Sequence, residues 1–160
     1  MVSRTITATS TRELDELGAV THDQWMDLDG INLFEGELTI PMRIAEDEPS
    51  SMSGGWWKRD SVYKRRRAML KIANVIDYQI EDKAKIGGTD VNTITFDGQA
   101  VVIEGGMPVI LSAQVSALAA TMEISDEVVD SITLHDYAGG RLQSEGPPER
   151  LADGDTSSRE

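Results

Sequence analysis

The chain has 160 residues, no cysteine and a formal net charge of −13 at pH 7. This length suits one ordinary domain with a hydrophobic core, and the lack of cysteine excludes disulfides, thiolate metal ligands and cysteine nucleophiles. The acidity disfavours nucleic acid and anionic membranes as partners, because like charges repel, although it is also typical of proteins from high-salt cells.

The first elements are an N-terminal segment and a short helix. Residues 1–10 are polar and alternate weakly, which predicts either an arm or an edge strand. Thr11 begins a helix in which Leu14 and Leu17 share one face, and Gly18 is predicted to end it. The chain contains neither the apolar core of a signal peptide nor the roughly 20 apolar residues of a membrane helix. We therefore expect a cytoplasmic protein without a membrane partner.

A hairpin is predicted between residues 31 and 44, where apolar and polar residues alternate. Its turn is predicted at Glu35-Gly36, because glycine tolerates a positive φ. Pro41 cannot donate a ladder hydrogen bond and therefore indicates a sheet edge or a bulge. Residues 45–55 have no periodicity and are predicted to form a surface loop.

The second half of the chain is also rich in strand patterns. A second β-region from Leu70 to Glu81 is interrupted at Asn74, which predicts a bulge or a corner between two strands. Asp97-Gly98 predicts a further hairpin. Residues 112–124 fit either a strand or a helix, and we favour a strand to Val115 followed by a short helix or turn.

These patterns predict a mainly β fold, either a β-sandwich or an open barrel of about 6–9 antiparallel strands, with one or two short helices. We expect an N-terminal arm or edge strand over residues 1–10, one β-rich domain over 11–141 and a disordered polar tail over 142–160.

A basic segment stands out against this acidic background. Seven of the fifteen basic residues lie between Lys58 and Lys71, where only Asp60 opposes them. Aromatic residues interleaved with Arg and Lys can bind an anionic or protein surface. Two adjacent Trp on one strand or loop cannot both face a core. The candidate binding residues are Trp56, Trp57, Tyr63, Arg65, Arg66 and Arg67. The alternative is structural, with the cations protecting a strand edge and pairing with acidic strands of the same domain.

Both histidines are followed by aspartate, and the two pairs form a candidate metal site. The ligands would be His22, Asp23, His135 and Asp136, provided that the fold brings them together. The alternative is that each aspartate caps a turn. No cofactor is predicted, because the chain lacks the nucleotide-binding and hydrolase motifs.

The order of features resembles a group of small β-rich domains that includes some bacterial immunity proteins. The matching residues are His22-Asp23, then 38–40, then 70–75. The resemblance implies a protein that is not a catalyst and that neutralises a partner by covering it.

Three functions follow as hypotheses. The first is a non-enzymatic domain that binds another macromolecule, namely a protein partner or a second copy, through its Trp and Arg residues. The second is a structural subunit of a homo-oligomer. The third is a metal-assisted enzyme that uses the two His-Asp pairs. Whether the protein is an enzyme stays open at this point, and the sequence favours the first function.

Overall fold

A computed structural model describes residues 2–83, 85–106, 108–137 and 140–146. The described residues contain one helix, α1 (Thr11–Thr21), and twelve strands. The strands are β1 (Val2–Ala8), β2 (Trp25–Asp27), β3 (Asn32–Phe34), β4 (Glu37–Ala45), β5 (Ser51–Gly54), β6 (Lys58–Ile72), β7 (Val75–Asp82), β8 (Gly88–Phe96), β9 (Ala100–Gly105), β10 (Val109–Val115), β11 (Ala120–Tyr137) and β12 (Gly140–Gly146). The predicted mainly antiparallel β fold with a short helix is confirmed, and the sheet is not closed. The strands outnumber the 6–9 predicted, because short strands such as β2 and β3 are too brief to show a period.

The chain divides into two compact units. Of the described residues, those in 2–44 and 68–125 belong to unit 1, and 45–67, 126–137 and 140–146 belong to unit 2. One domain over 11–141 stays a prediction. Strands β6 and β11 each contribute one part to unit 1 and the other part to unit 2.

Unit 1 contains the hydrophobic core. Its strands follow the order β1-β11-β6-β4-β2-β8-β9-β10-β7, in which β11 takes part with residues 120–125 and β6 with residues 68–72. β1, predicted as an arm or an edge strand, lies at one end of this order, where Ile6 pairs with Met122. The largest fully buried side chains are Leu14, Leu17, Met26, Leu38, Ile40, Met42, Leu70, Ile72, Ile103, Leu111, Met122 and Val91. Leu14 and Leu17 lie on the buried face of α1, and regular alternation places the others on the inner faces of their strands.

Helix α1 begins as predicted but continues beyond Gly18. The Ser10 side chain caps the helix by accepting a hydrogen bond from the Glu13 N–H. The helix ends at Thr21, which is buried and donates its hydroxyl to Leu17 O at 3.2 Å. Burial of Leu17 and Thr21 offsets the cost of about 1 kcal/mol that glycine adds to a helix interior.

Two predicted turns are confirmed. Glu35 and Gly36, with φ of 52° and 81°, connect β3 to β4 in the conformation that a two-residue hairpin requires. Gly98, with φ of 98°, lies in the turn between β8 and β9, where Asp97 Oδ1 accepts the N–H groups of Gln99 and Ala100 at 2.8 Å.

The edge-strand alternative for Pro41 is wrong, and the bulge alternative stays a prediction. β4 lies between β6 and β2 in the strand order, so it is not an edge strand. β2 pairs with Met42 and Arg43, and β3 pairs with residues 37–39, so that Pro41 lies opposite an interruption of the ladder. The missing N–H is tolerated there.

The later segments confirm one predicted boundary and change others. Asn74, with φ of 60°, forms the predicted corner, between β6 and β7. β10 ends at Val115, and residues 116–119 connect it to β11 without a helix. Residues 142–146 of the predicted tail belong to β12, because backbone pairing with β11 needs no apolar side chains. The rest of that tail, 147–160, lies outside the described residues.

Unit 2 is an antiparallel sheet whose buried side chains are mostly polar. β5 pairs with β6, β6 neighbours β11, and β11 pairs with β12. Among the described side chains of this unit, those that are buried are Ser61, Arg65, Asp130, Ser131 and Ile132. Interstrand pairing and polar contacts therefore hold this unit together, rather than an apolar core.

Candidate binding site

The turn between β5 and β6 presents two tryptophans to solvent. Gly54 has φ of 107°, and a Cβ there would collide with Lys58 O, so the tight turn requires glycine. The Gly55 N–H donates to Lys58 O at 2.7 Å and closes the turn around Trp56 and Trp57. Trp56 is 94% exposed and Trp57 is 55% exposed. We call Trp56 and Trp57 the Trp tip.

The predicted contribution of Arg65 to a binding surface is wrong. Its guanidinium is buried and donates to Asp130 through Nε at 2.7 Å and Nη2 at 2.5 Å. The exposed fraction of the Arg65 side chain is 3%. A buried cation in a bidentate pair cannot contact a partner, so Arg65 serves the structure of unit 2.

The neighbouring arginines also pair within the unit. Arg66 donates to Glu46 Oε2 at 2.8 Å, and Arg67 donates to Glu127 Oε1 at 3.0 Å. Tyr63, the remaining predicted binding residue of β6, is half-buried. These arginine contacts fit the structural alternative, in which the cations of the basic segment pair with acidic residues of the same chain.

Unit 1 has a similar pair further along β6. Lys71 Nζ lies 3.0 Å from Glu123 Oε1. The hydrogen bond to the Glu123 carboxylate raises the pKa of Lys71 above its ordinary value. The charge of Lys71 is therefore also balanced by a carboxylate of the same chain.

The two histidines have partners other than a metal. His22 Nδ1 lies 3.0 Å from Asn92 O in unit 1, and Nε2 lies 3.5 Å from Asp23 Oδ2. His135 Nδ1 lies 2.8 Å from Asp60 Oδ1 in unit 2. The described side chains include no group of three or more His, Cys, Asp or Glu residues that could hold a metal ion. The predicted four-residue set, which also includes Asp136, is therefore not assembled as a metal site.

Comparison with known proteins does not assign a family. No family model, curated protein or solved structure matches the chain. The resemblance to immunity proteins stays a prediction. None of the described residues form a helix with the length and apolar character that crossing a bilayer requires.

The structure also contains a polar cleft that sequence reasoning did not find. Its volume is about 260 Å³, and its walls come from β7, β10 and the β8–β9 turn. The polar lining residues include Asp77, Gln79, Asp97, Gln99, Ser112 and Gln114. Backbone N–H groups of Ala100 and Gln99 lower the pKa of Asp97, which therefore stabilises the turn as a carboxylate.

A second feature missed by the sequence analysis is strand β5. Residues 45–55 were predicted to be a loop, but Ser51–Gly54 form a strand that pairs with residues 59–62 of β6. All four residues of β5 are exposed. With Met52 as its only large apolar side chain, β5 has no alternation that could have indicated a strand.

Proposed function

We propose that this chain is a non-enzymatic protein that binds another protein through the Trp tip. The observation that carries the proposal is the 94% exposure of Trp56 at the end of a tight hairpin. Exposed tryptophans at rigid positions are typical anchors of protein interfaces, because they bring large area at little entropic cost.

The Trp tip offers a large apolar area. A tryptophan buries about 150–250 Å² in a core or an interface, and each Å² of apolar area contributes about 25 cal/mol. Complete burial of Trp56 would contribute about 4 kcal/mol before the costs of association. Trp57, which is 55% exposed, would add to this value. A contribution of this size to the free energy of binding is a physical reason for two adjacent tryptophans to be exposed.

A protein partner suits the charges better than nucleic acid does. Four cations of the basic segment already pair with carboxylates of the same chain, namely Arg65, Arg66, Arg67 and Lys71. Binding to phosphate needs cations that can replace counterions, and these four are already neutralised. The remainder of the chain is acidic and would repel a polyanion.

The proposal assigns binding and not catalysis to the chain. The site that carries it contains apolar aromatic side chains without a nucleophile, a base or a metal ligand among them. It also agrees with the implication of the resemblance to immunity proteins, which neutralise a partner by covering it.

The test is photo-crosslinking in cells that produce the full chain. A benzophenone amino acid replaces Trp56 in one variant and Phe34 in the control, since Phe34 is another exposed aromatic residue beside a hairpin turn and is 66% exposed. We expect an adduct of defined mass from position 56 and none from position 34, and we expect Trp57→Ala to abolish it. No adduct from position 56, or the same adduct from both positions, would contradict the proposal.

A further inference from the structure

Strand β5 is an edge strand with free hydrogen-bonding capacity. It pairs only with β6 among the described strands, and all four of its residues are exposed. Alternate backbone N–H and C=O groups of an antiparallel strand point to opposite sides, so half of those in β5 face away from β6. Such an edge is a template for another strand.

β5 lacks the charge that protects the other edges. The strands β1 and β7, at the two ends of the strand order, contain the exposed Arg4 and Asp77, and each of these charges opposes strand addition. Residues 49–57 contain no charged residue, in a chain that is 27% charged. This edge is therefore open to pairing.

The charge distribution of the chain also indicates which molecule pairs with this edge. Two copies of a chain with a net charge of −13 repel each other over most of their surfaces. Residues 49–57 are neutral. Glu46, Asp47 and Glu48 precede them, and Lys58 and Arg59 follow them, so antiparallel approach of a second copy places the carboxylates of one chain toward the cations of the other. An identical strand also offers a self-complementary partner, since antiparallel pairing is compatible with two-fold symmetry.

We propose that β5 pairs antiparallel with β5 of a second copy, so that two chains form a symmetric dimer. This inference rests on the proposed binding function and names its partner. Met52, which is 54% exposed, and the Trp tip lie beside this edge on the same hairpin and contribute the apolar contacts. Main-chain hydrogen bonds supply the affinity of such a contact, and the side chains supply its specificity.

The first test measures the oligomeric state of the full chain by light scattering across a wide range of concentrations. We expect a dimer, and we expect Ser53→Lys to weaken it by about tenfold or more, because it adds a charge of the same sign to both copies of the neutral edge that has to pair. The control is Gln99→Lys, which adds the same charge at an exposed turn of unit 1. Circular dichroism and melting temperature establish that both variants fold.

The second test uses the absence of natural cysteine. Single cysteines at Ser51, Met52 and Ser53 are oxidised, and at least one is expected to give a covalent dimer, because paired strands bring Cα atoms within the distance of a disulfide. Gln99→Cys is expected to give none.

Two results would overturn the inference: a monomer at every concentration, or a dimer that Ser53→Lys leaves unchanged and that no β5 cysteine traps. The proposed function survives that failure if the crosslinker at Trp56 still attaches to a different protein. The proposed function is contradicted, whatever the oligomeric state, if position 56 gives no adduct at all.

Discussion

Replacing Asp130 with Asn tests the buried ion pair of unit 2. The carboxylate accepts two hydrogen bonds from Arg65, at 2.7 and 2.5 Å, and the two side chains are only 3% and 11% exposed. The amide has no charge, so the buried Arg65 guanidinium would lose the negative charge that Asp130 supplies. Removal of one member of a buried pair costs about 3–5 kcal/mol, and we expect a loss of this size in the free energy of unfolding.

Two further variants show whether the loss comes from an unpaired buried charge. Glu127→Gln makes the same chemical change in the Arg67 pair, where both side chains are 57% exposed, and we expect it to cost less than about 1 kcal/mol. The double variant Arg65→Met/Asp130→Leu removes both charges at once. It should recover most of the stability lost in Asp130→Asn, since apolar side chains of similar size often replace a buried pair without loss.

Urea unfolding gives the free energies, and amide hydrogen exchange locates the change. We expect faster exchange in residues 58–67 and 126–137 of Asp130→Asn, because their buried contacts include this pair. The reasoning is refuted if Asp130→Asn costs no more than Glu127→Gln. It is also refuted if the double variant is as unstable as Asp130→Asn.

Two other predictions concern unit 1. The Glu13 carboxylate accepts a hydrogen bond from the Thr9 N–H, which lowers its pKa, so its stabilisation is present above the ordinary Glu pKa and is lost as the pH falls through the lowered value. Glu13→Gln should therefore lower the melting temperature near about pH 7, and the difference from wild type should shrink in acid. Gly88→Ala would drive a Cβ into the Trp25 ring and should cost about 1–3 kcal/mol, whereas Gly106→Ala meets no atom within 4 Å and serves as the control in thermal unfolding.

The local part of the fold was predictable because its signals lie within a few residues. The turn at Glu35-Gly36 and the turn at Asp97-Gly98 both require residues that tolerate a positive φ, and the sequence supplies them at the right spacing. The full length of β11 was not predictable. The side chains in the second half of β11 contact polar partners and do not pack in an apolar core. The sequence beyond Ser125 therefore shows little hydrophobic alternation.

The candidate site was predictable in its aromatic part and not in its cationic part. Trp56 and Trp57 follow two glycines, and that local pattern indicated an exposed turn. Arg65 looked like a member of an exposed charge run because its partner, Asp130, is 65 positions away. A single sequence does not show which distant carboxylate meets which cation.

The pairing of β1 with β11 has a consequence for synthesis of the protein on the ribosome. Ser3 Oγ donates to Ile124 O across 121 positions of the sequence. At about 5–20 residues per second, strand β1 waits roughly 6–24 seconds before its partner is made. During that interval Ile6 and Ala8 have no strand beside them. The polar side chains of Ser3, Thr5 and Thr7 alternate with the apolar ones and keep this segment hydrophilic until β11 has left the exit tunnel.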